Sequence, residues 1–301
     1  MTARRDAARR LGALAAAAAG ACVEITTAEQ GVLSIRFDPL PPSIVAGDTL
    51  RDSLGRVQRL RAVAFDAAGD SVAGAAFTFG FLPLGRDTAT GARPALTVDP
   101  VSGLVRADSL PRAPQARVSA TFGSRLQALD TIAIVRRPTR LERAGPASVP
   151  LRYLCVDSSR SLLVDTLTFG TASPPLSVRL RGDSVRGDTT TVPVPSYLVR
   201  YRIAFPAAIP SGVSPFGDTR PALYLTNGRN DRPLQFDTTN ASGQTTTALR
   251  VIGPLLTPGN SPDSVVVVAQ AFYRGVPTDT AGVRFTVRLT RVPRPGSTAC
   301  P

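Results

Sequence analysis

The most informative absence is histidine, of which the 301-residue sequence has none. Without an imidazole, neither a Ser-His-Asp nor a Cys-His catalytic arrangement can form, and the commonest zinc ligand is missing. Tryptophan is absent too, which removes the largest aromatic platform for a sugar ring. Lysine is also missing, so all 35 basic residues are arginine. These absences exclude the most familiar active sites, and we predict that the protein is not an enzyme.

Carboxylates are present, and a pair of them is able to carry out acid–base chemistry. Most aspartates, however, lie in turn contexts, where the side chain accepts hydrogen bonds from nearby backbone amides. Examples are Asp66, Asp70, Asp183, Asp188 and Asp218. The stretch from Asn227 to Asp231 clusters oxygen donors that suit calcium, but it lacks the ordered spacing of a calcium loop and contains an Asn-Gly turn. We predict no cofactor and no metal site.

Net charge gives an ambiguous signal. The chain carries +13, which invites a comparison with proteins that bind nucleic acid or lipopolysaccharide. The arginines are nevertheless scattered singly along the predicted strands, without a basic run of five or more. Arginine without lysine, together with abundant alanine, is typical of a GC-rich coding sequence. We therefore predict no nucleic-acid partner.

The beginning of the chain has the three parts of a secretory signal. A basic lead-in, MTARRDAARR, precedes an uncharged run from Leu11 to Ala21, which is shorter than the roughly 20 residues of a membrane-spanning helix. The end of this run and the next residue, Ala19 to Cys22, resemble the lipobox of bacterial lipoproteins. The resemblance implies that Cys22 is acylated and becomes the mature N-terminus, which makes the membrane a partner through a lipid anchor. The alternative is an ordinary signal cleaved near Ala21, with no role for Cys22.

Two further expectations depend on this resemblance. In lipoproteins of bacteria with two membranes, Asp after the cysteine retains the protein at the inner membrane, so Val23 implies the outer membrane or cell surface. The periplasmic side and secretion are the alternatives. With Cys22 occupied by lipid, Cys155 and Cys300 remain as an even pair in an oxidising compartment, and we predict a disulfide between them. Two unrelated thiols are the alternative to that disulfide.

Short strands separated by turn residues fill the chain from Leu33 to Arg137. Polar and apolar residues alternate with period 2 in RLRAVAFD, and no apolar repeat of 3.6 residues persists. Together with Gly47-Asp48-Thr49, the segments RLRAVAFDAAGDSVAG, AAFTF, LTVDPVSGLVRA and ARVSATFG resemble the group 2 bacterial immunoglobulin-like domain. The resemblance implies an immunoglobulin-like β-sandwich, with Phe79 at the position where that family has tryptophan.

The second half of the chain again predicts strands, with alternation from Tyr197 to Phe205 and an apolar run from Val265 to Ala269. Residues Phe236 to Leu249, FDTTNASGQTTTAL, resemble the turn-and-strand signature of the invasin-like group 1 immunoglobulin domain. The halves also end in similar hairpins. This internal likeness supports two sandwiches in tandem.

The predicted fold class is therefore all-β, with tandem immunoglobulin-like β-sandwiches after a signal peptide. The predicted organisation is a signal peptide (1–22), a tether (23–32), a first sandwich (33–137), a linker (138–150), a second sandwich (151–291) and a C-terminal tail (292–301). For function we predict a non-enzymatic, lipid-anchored cell-envelope protein whose domains act as a spacer, scaffold or adhesive surface. Its partner would be a cell-surface protein or polysaccharide. The alternative is an envelope ligand-binding module that recognises polysaccharide or calcium.

Overall fold

A computed structural model of the protein describes residues 31–82, 94–110, 113–154, 172–183, 191–213, 219–227, 232–256 and 259–292. Over these ranges the regular structure consists of β-strands and one 3₁₀ turn, Gly253–Leu255. No helix in the described ranges is long and apolar enough to cross a membrane. The strands form two groups, and within the described ranges no hydrogen-bonded strand pair joins one group to the other. The all-β prediction is confirmed.

The N-terminal group forms a sandwich of nine strands. A four-stranded sheet has the order β2-β9-β8-β5, with β2 parallel to β9, and the opposite side is built by β1-β3-β4 and the hairpin β6-β7. The strands are β1 (Ser34–Phe37), β2 (Ser43–Val45), β3 (Ala62–Phe65), β4 (Ser71–Val72), β5 (Thr78–Leu82), β6 (Leu96–Val98), β7 (Val105–Ala107), β8 (Gln115–Phe122) and β9 (Leu126–Val135).

The C-terminal group forms a larger sandwich with the strand order of an immunoglobulin domain. One sheet has the order β10-β12-β19-β17, which corresponds to strands A, B, E and D, and the other has the order β11-β23-β20-β14-β18, which contains G, F and C. The strands are β10 (Pro138–Arg143), β11 (Ser148–Leu154), β12 (Leu176–Gly182), β13 (Val192–Pro193), β14 (Leu198–Phe205), β15 (Ser211–Val213), β16 (Thr219–Pro221), β17 (Leu223–Thr226), β18 (Phe236–Thr238), β19 (Gln244–Val251), β20 (Ser264–Gln270), β21 (Phe272–Tyr273), β22 (Val276–Pro277) and β23 (Val283–Val292).

The segment predicted as a linker, residues 138–150, instead forms β10 and the beginning of β11. Leu141 and Val149 are buried in the C-terminal core, because each occupies an inward position between more exposed neighbours. Only Arg136 and Arg137 separate the end of β9 from the start of β10. Two edge strands therefore form in a segment whose Pro, Gly and Arg content had suggested a linker. The other predicted domain bounds stay a prediction.

The cores of both sandwiches are built from the inward positions of facing sheets. The C-terminal core contains Tyr201 and Phe285 at its centre, each 1% exposed. Two valines of the N-terminal sandwich, Val45 and Val135, belong to the same apolar cluster. The C-terminal core is therefore continuous with the end of the N-terminal sandwich, and the two sandwiches meet through apolar contact.

The N-terminal sandwich contains a tight turn at Asp99–Gly103, inside the segment LTVDPVSGLVRA. The Asp99 carboxylate accepts hydrogen bonds from the backbone amides of Val101 and Ser102. Gly103 has φ +65°, and its carbonyl accepts a 2.8 Å hydrogen bond from the amide of Leu60. A Cβ at Gly103 would lie 2.6 Å from the carbonyl oxygen of Leu60, so both conformation and space require glycine.

The C-terminal sandwich repeats this turn at Asn240–Gly243, inside the segment that resembles the group 1 domain. The Asn240 side chain accepts hydrogen bonds from the amides of Ser242 and Gln244. Gly243 has φ +72°, and its carbonyl accepts a 2.8 Å hydrogen bond from the amide of Leu180. A Cβ there would lie 2.6 Å from the oxygen of Leu180. The two sandwiches therefore share a turn that ties strand E to the strand-B segment by the same contacts.

Candidate functional site

The residues to which the sequence assigned roles are Cys22, Cys155 and Cys300, and all three lie outside the described residues. Acylation of Cys22 and the disulfide therefore stay predictions. Of the oxygen-rich stretch 227–231, only Asn227 is described. Within the described part of the chain, no group of three Cys, Asp or Glu side chains lies close enough together to hold a metal ion. Asp66 does form a turn, since its carboxylate accepts 2.9 Å hydrogen bonds from the backbone amides of Ala68 and Asp70.

The structure assembles a different cluster where the two sandwiches meet. Its centre is Asp48, which follows β2 and is only 5% exposed. The backbone of Asp48 is held on both sides, because its amide donates to Val45 and its carbonyl accepts the amide of Ala107. The Thr49 amide donates to its carboxylate at 2.8 Å. A carboxylate is thus fixed at the junction by the fold of the N-terminal sandwich.

Arg51 supplies the first positive charge to this carboxylate. Its Nε donates to Oδ2 of Asp48 and its Nη2 to Oδ1, both at 3.0 Å, which gives a two-point contact. The remaining Nη1 donates to the carbonyl of Gly55 at 3.0 Å. Such bidentate pairs fix orientation as well as charge. The contact therefore also holds the turn at residues 52–55 in place.

Arg274 of the C-terminal sandwich supplies the second charge. Its Nε donates to Oδ2 of Asp48 at 3.0 Å, across a sequence separation of 226 residues. Arg274 and Gly275 form the two-residue turn between β21 and β22, with φ of +51° and +79°, the signs of a type I′ hairpin turn. The guanidinium groups of Arg274 and Arg137 each lie 5.3 Å from the ring centre of Tyr273. We call Asp48, Arg51, Tyr273 and Arg274 the junction cluster.

Backbone contact reinforces the junction cluster at Gly55. This glycine has φ +75°, and a Cβ at its position would lie 3.0 Å from the amide nitrogen of Arg274 and would also overlap Gly275. The turn of one sandwich thus packs directly on the hairpin of the other. There is no space at this point for a side chain on Gly55.

The electrostatics of the cluster are those of a permanent ion pair. Burial raises the pKa of Asp48, but hydrogen bonds from Arg51 and Arg274 outweigh burial and hold that pKa well below its usual range. Partial burial and the charge of Asp48 both raise the pKa of Tyr273, so its hydroxyl keeps its proton. Asp48 is therefore ionised at every ordinary pH, and its oxygens are occupied by donors of the chain itself. The arrangement holds the two sandwiches together and offers no open position for a substrate or a cation.

A small cleft adjoins the junction cluster between the sandwiches. It is lined by Pro41, Pro42, Tyr197, Leu198 and Phe272 among others, and it encloses about 20 Å³. That volume holds roughly one water molecule. The hydroxyl of Tyr197 is already engaged, since it donates to the carbonyl of Phe272 at 2.6 Å. The cleft is too small for an organic ligand.

Sequence reasoning missed the junction cluster. Asp48 stands within a segment that resembles the group 2 domain, but nothing in the sequence near it points to a partner 226 residues away. The pair Arg274-Gly275 between two short apolar stretches does carry a hairpin signal, because glycine is favoured in two-residue turns. That signal predicts the hairpin, and the tertiary structure alone places it against Asp48.

Comparison with known proteins adds little to this picture. No family model matches the chain, and no curated protein matches it. Among solved structures, the adhesin InvE of Yersinia pseudotuberculosis is 15% identical with a TM-score of 0.30, covering 87% of this chain and 60% of that one. The D00-D0 domain of intimin is 11% identical with a TM-score of 0.25, and the match covers 85% of this chain and 98% of that one. The human desmocollin-1 ectodomain is 12% identical with a TM-score of 0.25, and the match covers 88% of this chain and 41% of that one.

The chain spans less than two thirds of the length of the InvE structure. Likenesses of this size assign neither a family nor a function. The fold therefore rests on the strand topology, and the function on the residues at the junction and on the sheet surfaces.

Proposed function

We propose that the protein is a non-enzymatic, lipid-anchored protein of the cell envelope. Its two immunoglobulin-like sandwiches act as a stiff spacer that holds an adhesive or scaffolding surface away from the outer membrane. The observation that carries the proposal is the junction between the sandwiches. A spacer must resist bending, and this junction combines a short connection, apolar contact and an ion pair.

Each of these three features limits relative motion. Only Arg136 and Arg137 connect β9 to β10, whereas domains that move freely are usually joined by longer exposed linkers. Val45 and Val135 are 6% and 4% exposed in a cluster with the C-terminal core, so separation of the sandwiches would expose apolar surface. Separation would also remove Arg274 from the buried carboxylate of Asp48.

Small-angle X-ray scattering of the chain from residue 23 onward tests stiffness. We expect one narrow particle shape for the wild type and a broader ensemble for Gly55→Val, because the added side chain would force the hairpin at Arg274 away. Gly69→Val is the matched control, since Gly69 also has positive φ but nothing lies within 4 Å of its Cβ position. Wild-type scattering that requires many orientations would refute the spacer.

The lipid anchor has its own test. Mass spectrometry of membrane-extracted protein should find acyl chains on an N-terminal Cys22, and Cys22→Ala should move the protein to the soluble fraction. Two acyl chains contribute about 0.8 kcal/mol for each CH₂ buried in the bilayer, so loss of the anchor has a large effect on partitioning. An unmodified N-terminus at Val23 would contradict acylation and leave a secreted spacer.

The disulfide between Cys155 and Cys300 is part of the same proposal, because it requires the oxidising compartment that export provides. In the mature protein, thiol alkylation should label neither cysteine before reduction and both after it. Labelling of Cys155 without reductant would show two separate thiols.

A further inference from the structure

The outer surface of the sheet β11-β23-β20-β14-β18 carries five arginines. Its arginines occupy the positions between inward-pointing core residues, so they project away from the core. We call this surface the arginine face, and it comprises Arg152 on β11, Arg200 and Arg202 on β14, and Arg284 and Arg288 on β23. Four of the five are exposed, and Arg200 is half-buried.

The strand registers place these arginines near one another. Val268 of β20 pairs with Arg202 on one side and with Arg284 on the other, so these two arginines share a row across the sheet. Two strand spacings separate them by about 10 Å, and four residues separate Arg284 from Arg288 by about 13 Å along the strand. Residues distant in sequence thus form a compact cationic surface.

Acidic residues do not neutralise this surface. The one acidic residue in the five strands is Asp237, and its carboxylate accepts a hydrogen bond from Thr245 of the opposite sheet, so it points inward. Over the part of the chain that the structure describes, the side chains of the four exposed arginines form no ion pair and no hydrogen bond. Their charges are available to a ligand.

Arginine abundance alone does not produce such a face. The strands of the other sheet of the same sandwich also carry five arginines, Arg140, Arg143, Arg179, Arg181 and Arg250. There, however, Glu142 lies 3.4 Å from Arg140 and 3.8 Å from Arg181, so an acidic partner is present. In the N-terminal sandwich, the strands of the corresponding sheet β2-β9-β8-β5 contain a single arginine, Arg117. The arginine face therefore differs from the opposite sheet in lacking an ion-paired carboxylate, and from the N-terminal sheet in its number of arginines.

A β-bulge adds an aromatic ring to the arginine face. The register of β14 against β20 shifts after Ile203, so that Phe205 pairs with Val266 and projects outward. Bulges commonly re-aim a side chain in this way. The Phe205 side chain is 51% exposed and lies on the strand that carries Arg202. An exposed apolar ring beside guanidinium groups suits a ligand with both anionic and apolar surfaces.

We propose that the arginine face binds a flexible, acidic polysaccharide. Its carboxylate or sulfate groups pair with guanidinium groups of Arg152, Arg202, Arg284 and Arg288, whose planar donors match such anions in two-point contacts. A sugar ring packs on Phe205. This assignment rests on the proposed adhesive role and names the chemistry of its partner, but it does not depend on acylation of Cys22.

Shape favours a flexible chain over a membrane surface or a nucleic acid. Neighbouring strands are rotated by about 20–25°, so the sheet turns by roughly 60–75° from β11 to β14. A flat bilayer cannot meet all these arginines at once, whereas a flexible polyanion follows the twist. Proteins that bind single-stranded nucleic acids stack successive bases on several aromatic rings. Phe205 is the one aromatic side chain at least half exposed on this face among the described residues.

The test compares two triple variants with equal change in net charge. The face variant carries Arg202→Gln, Arg284→Gln and Arg288→Gln. The control carries three substitutions in the N-terminal sandwich, Arg56→Gln, Arg117→Gln and Arg125→Gln. Melting curves first confirm that each variant is folded. Calorimetry at 150 mM salt then measures binding to heparin, polygalacturonate, neutral dextran, anionic vesicles and single-stranded DNA. If a triple variant fails to fold, Arg288→Gln alone replaces it, with Arg125→Gln as control.

We expect the wild type to bind an acidic polysaccharide and not dextran. The face variant should lose at least tenfold in affinity and the control less than twofold. Phe205→Ala should weaken binding without changing its salt dependence, because it removes a contact and no charge. Equal losses in both triple variants would overturn the site. Tighter wild-type binding to anionic vesicles or single-stranded DNA than to either acidic polysaccharide would overturn the assigned partner. Neither outcome affects the scattering test of the spacer.

Discussion

The N-terminal sheet β2-β9-β8-β5 and the first four strands of the C-terminal sheet β11-β23-β20-β14-β18 have the same order, but their outer surfaces differ in charge. In each, an early strand runs parallel to the last one, β2 with β9 and β11 with β23. The inward positions of both sheets are apolar, as the cores require. The outward positions differ in charge. The strands of the N-terminal sheet contain one arginine, Arg117, whereas the C-terminal sheet carries the five-residue arginine face. Topology therefore constrains the inner face, and the outer face is free to acquire a binding function.

The largest effects are expected from truncating a buried side chain in each core. Phe285→Ala should cost about 3–5 kcal/mol of unfolding free energy and Ile132→Ala about 2–5 kcal/mol, because each side chain is fully buried. Since Val45 and Val135 join the N-terminal sandwich to the C-terminal core, both variants should shift a single urea transition. Circular dichroism during urea unfolding measures this. Two separate transitions in the wild type would show that the sandwiches unfold independently.

The second comparison concerns the shared turn. Gly103→Ala and Gly243→Ala should each destabilise by roughly 1–3 kcal/mol, since both glycines have positive φ and both Cβ positions meet a carbonyl oxygen. Gly69→Ala has the same kind of strain with open space around it, so it should cost less. Thermal melts of the three variants compare these costs. A large effect in one sandwich and none in the other would contradict the equivalence of the two turns.

The third comparison isolates the junction through pH. Asp48→Asn should cost about 1–2 kcal/mol near neutral pH, because Arg51 and Arg274 lose a charged acceptor. The folded protein resists protonation of Asp48, whereas the unfolded chain takes up a proton near pH 4, so acid favours unfolding. The difference between wild type and variant should therefore be complete above about pH 4 and shrink as the pH falls further. Urea unfolding from pH 2 to 7 measures it, and a constant difference would argue against an ionised Asp48.

The smallest expected effect belongs to Arg274→Gln. Its own side chain is 57% exposed, and Asp48 keeps its two-point pair with Arg51 in the variant, so the melting temperature should hardly change. The orientation of the two sandwiches should nevertheless become less uniform, which small-angle scattering detects. A lowered melting temperature with unchanged scattering would mean that Arg274 stabilises its own hairpin and not the junction.

Local patterns in the sequence predicted much of the fold. The alternation from Tyr197 to Phe205 correctly predicted the strand β14, whose Tyr201 lies in the core. The two quoted turn segments contain the equivalent turns at Gly103 and Gly243. The linker prediction for residues 138–150 was wrong, because composition was weighed above the inward positions of Leu141 and Val149. Edge strands tolerate Pro and charged residues, so composition is a poor guide there.

The remaining features depend on which strands become neighbours. Arg202 and Arg284 look scattered in the sequence, and strand pairing through Val268 places them in one row. Likewise, Asp48 and Arg274 meet only because the hairpin at Gly275 packs on the turn at Gly55. Alternation and turn chemistry act over a few residues, so the sequence by itself determined the strands, the turns and the all-β class. Contacts across hundreds of residues depend on register and packing, so the tertiary structure alone decided the junction and the arginine face.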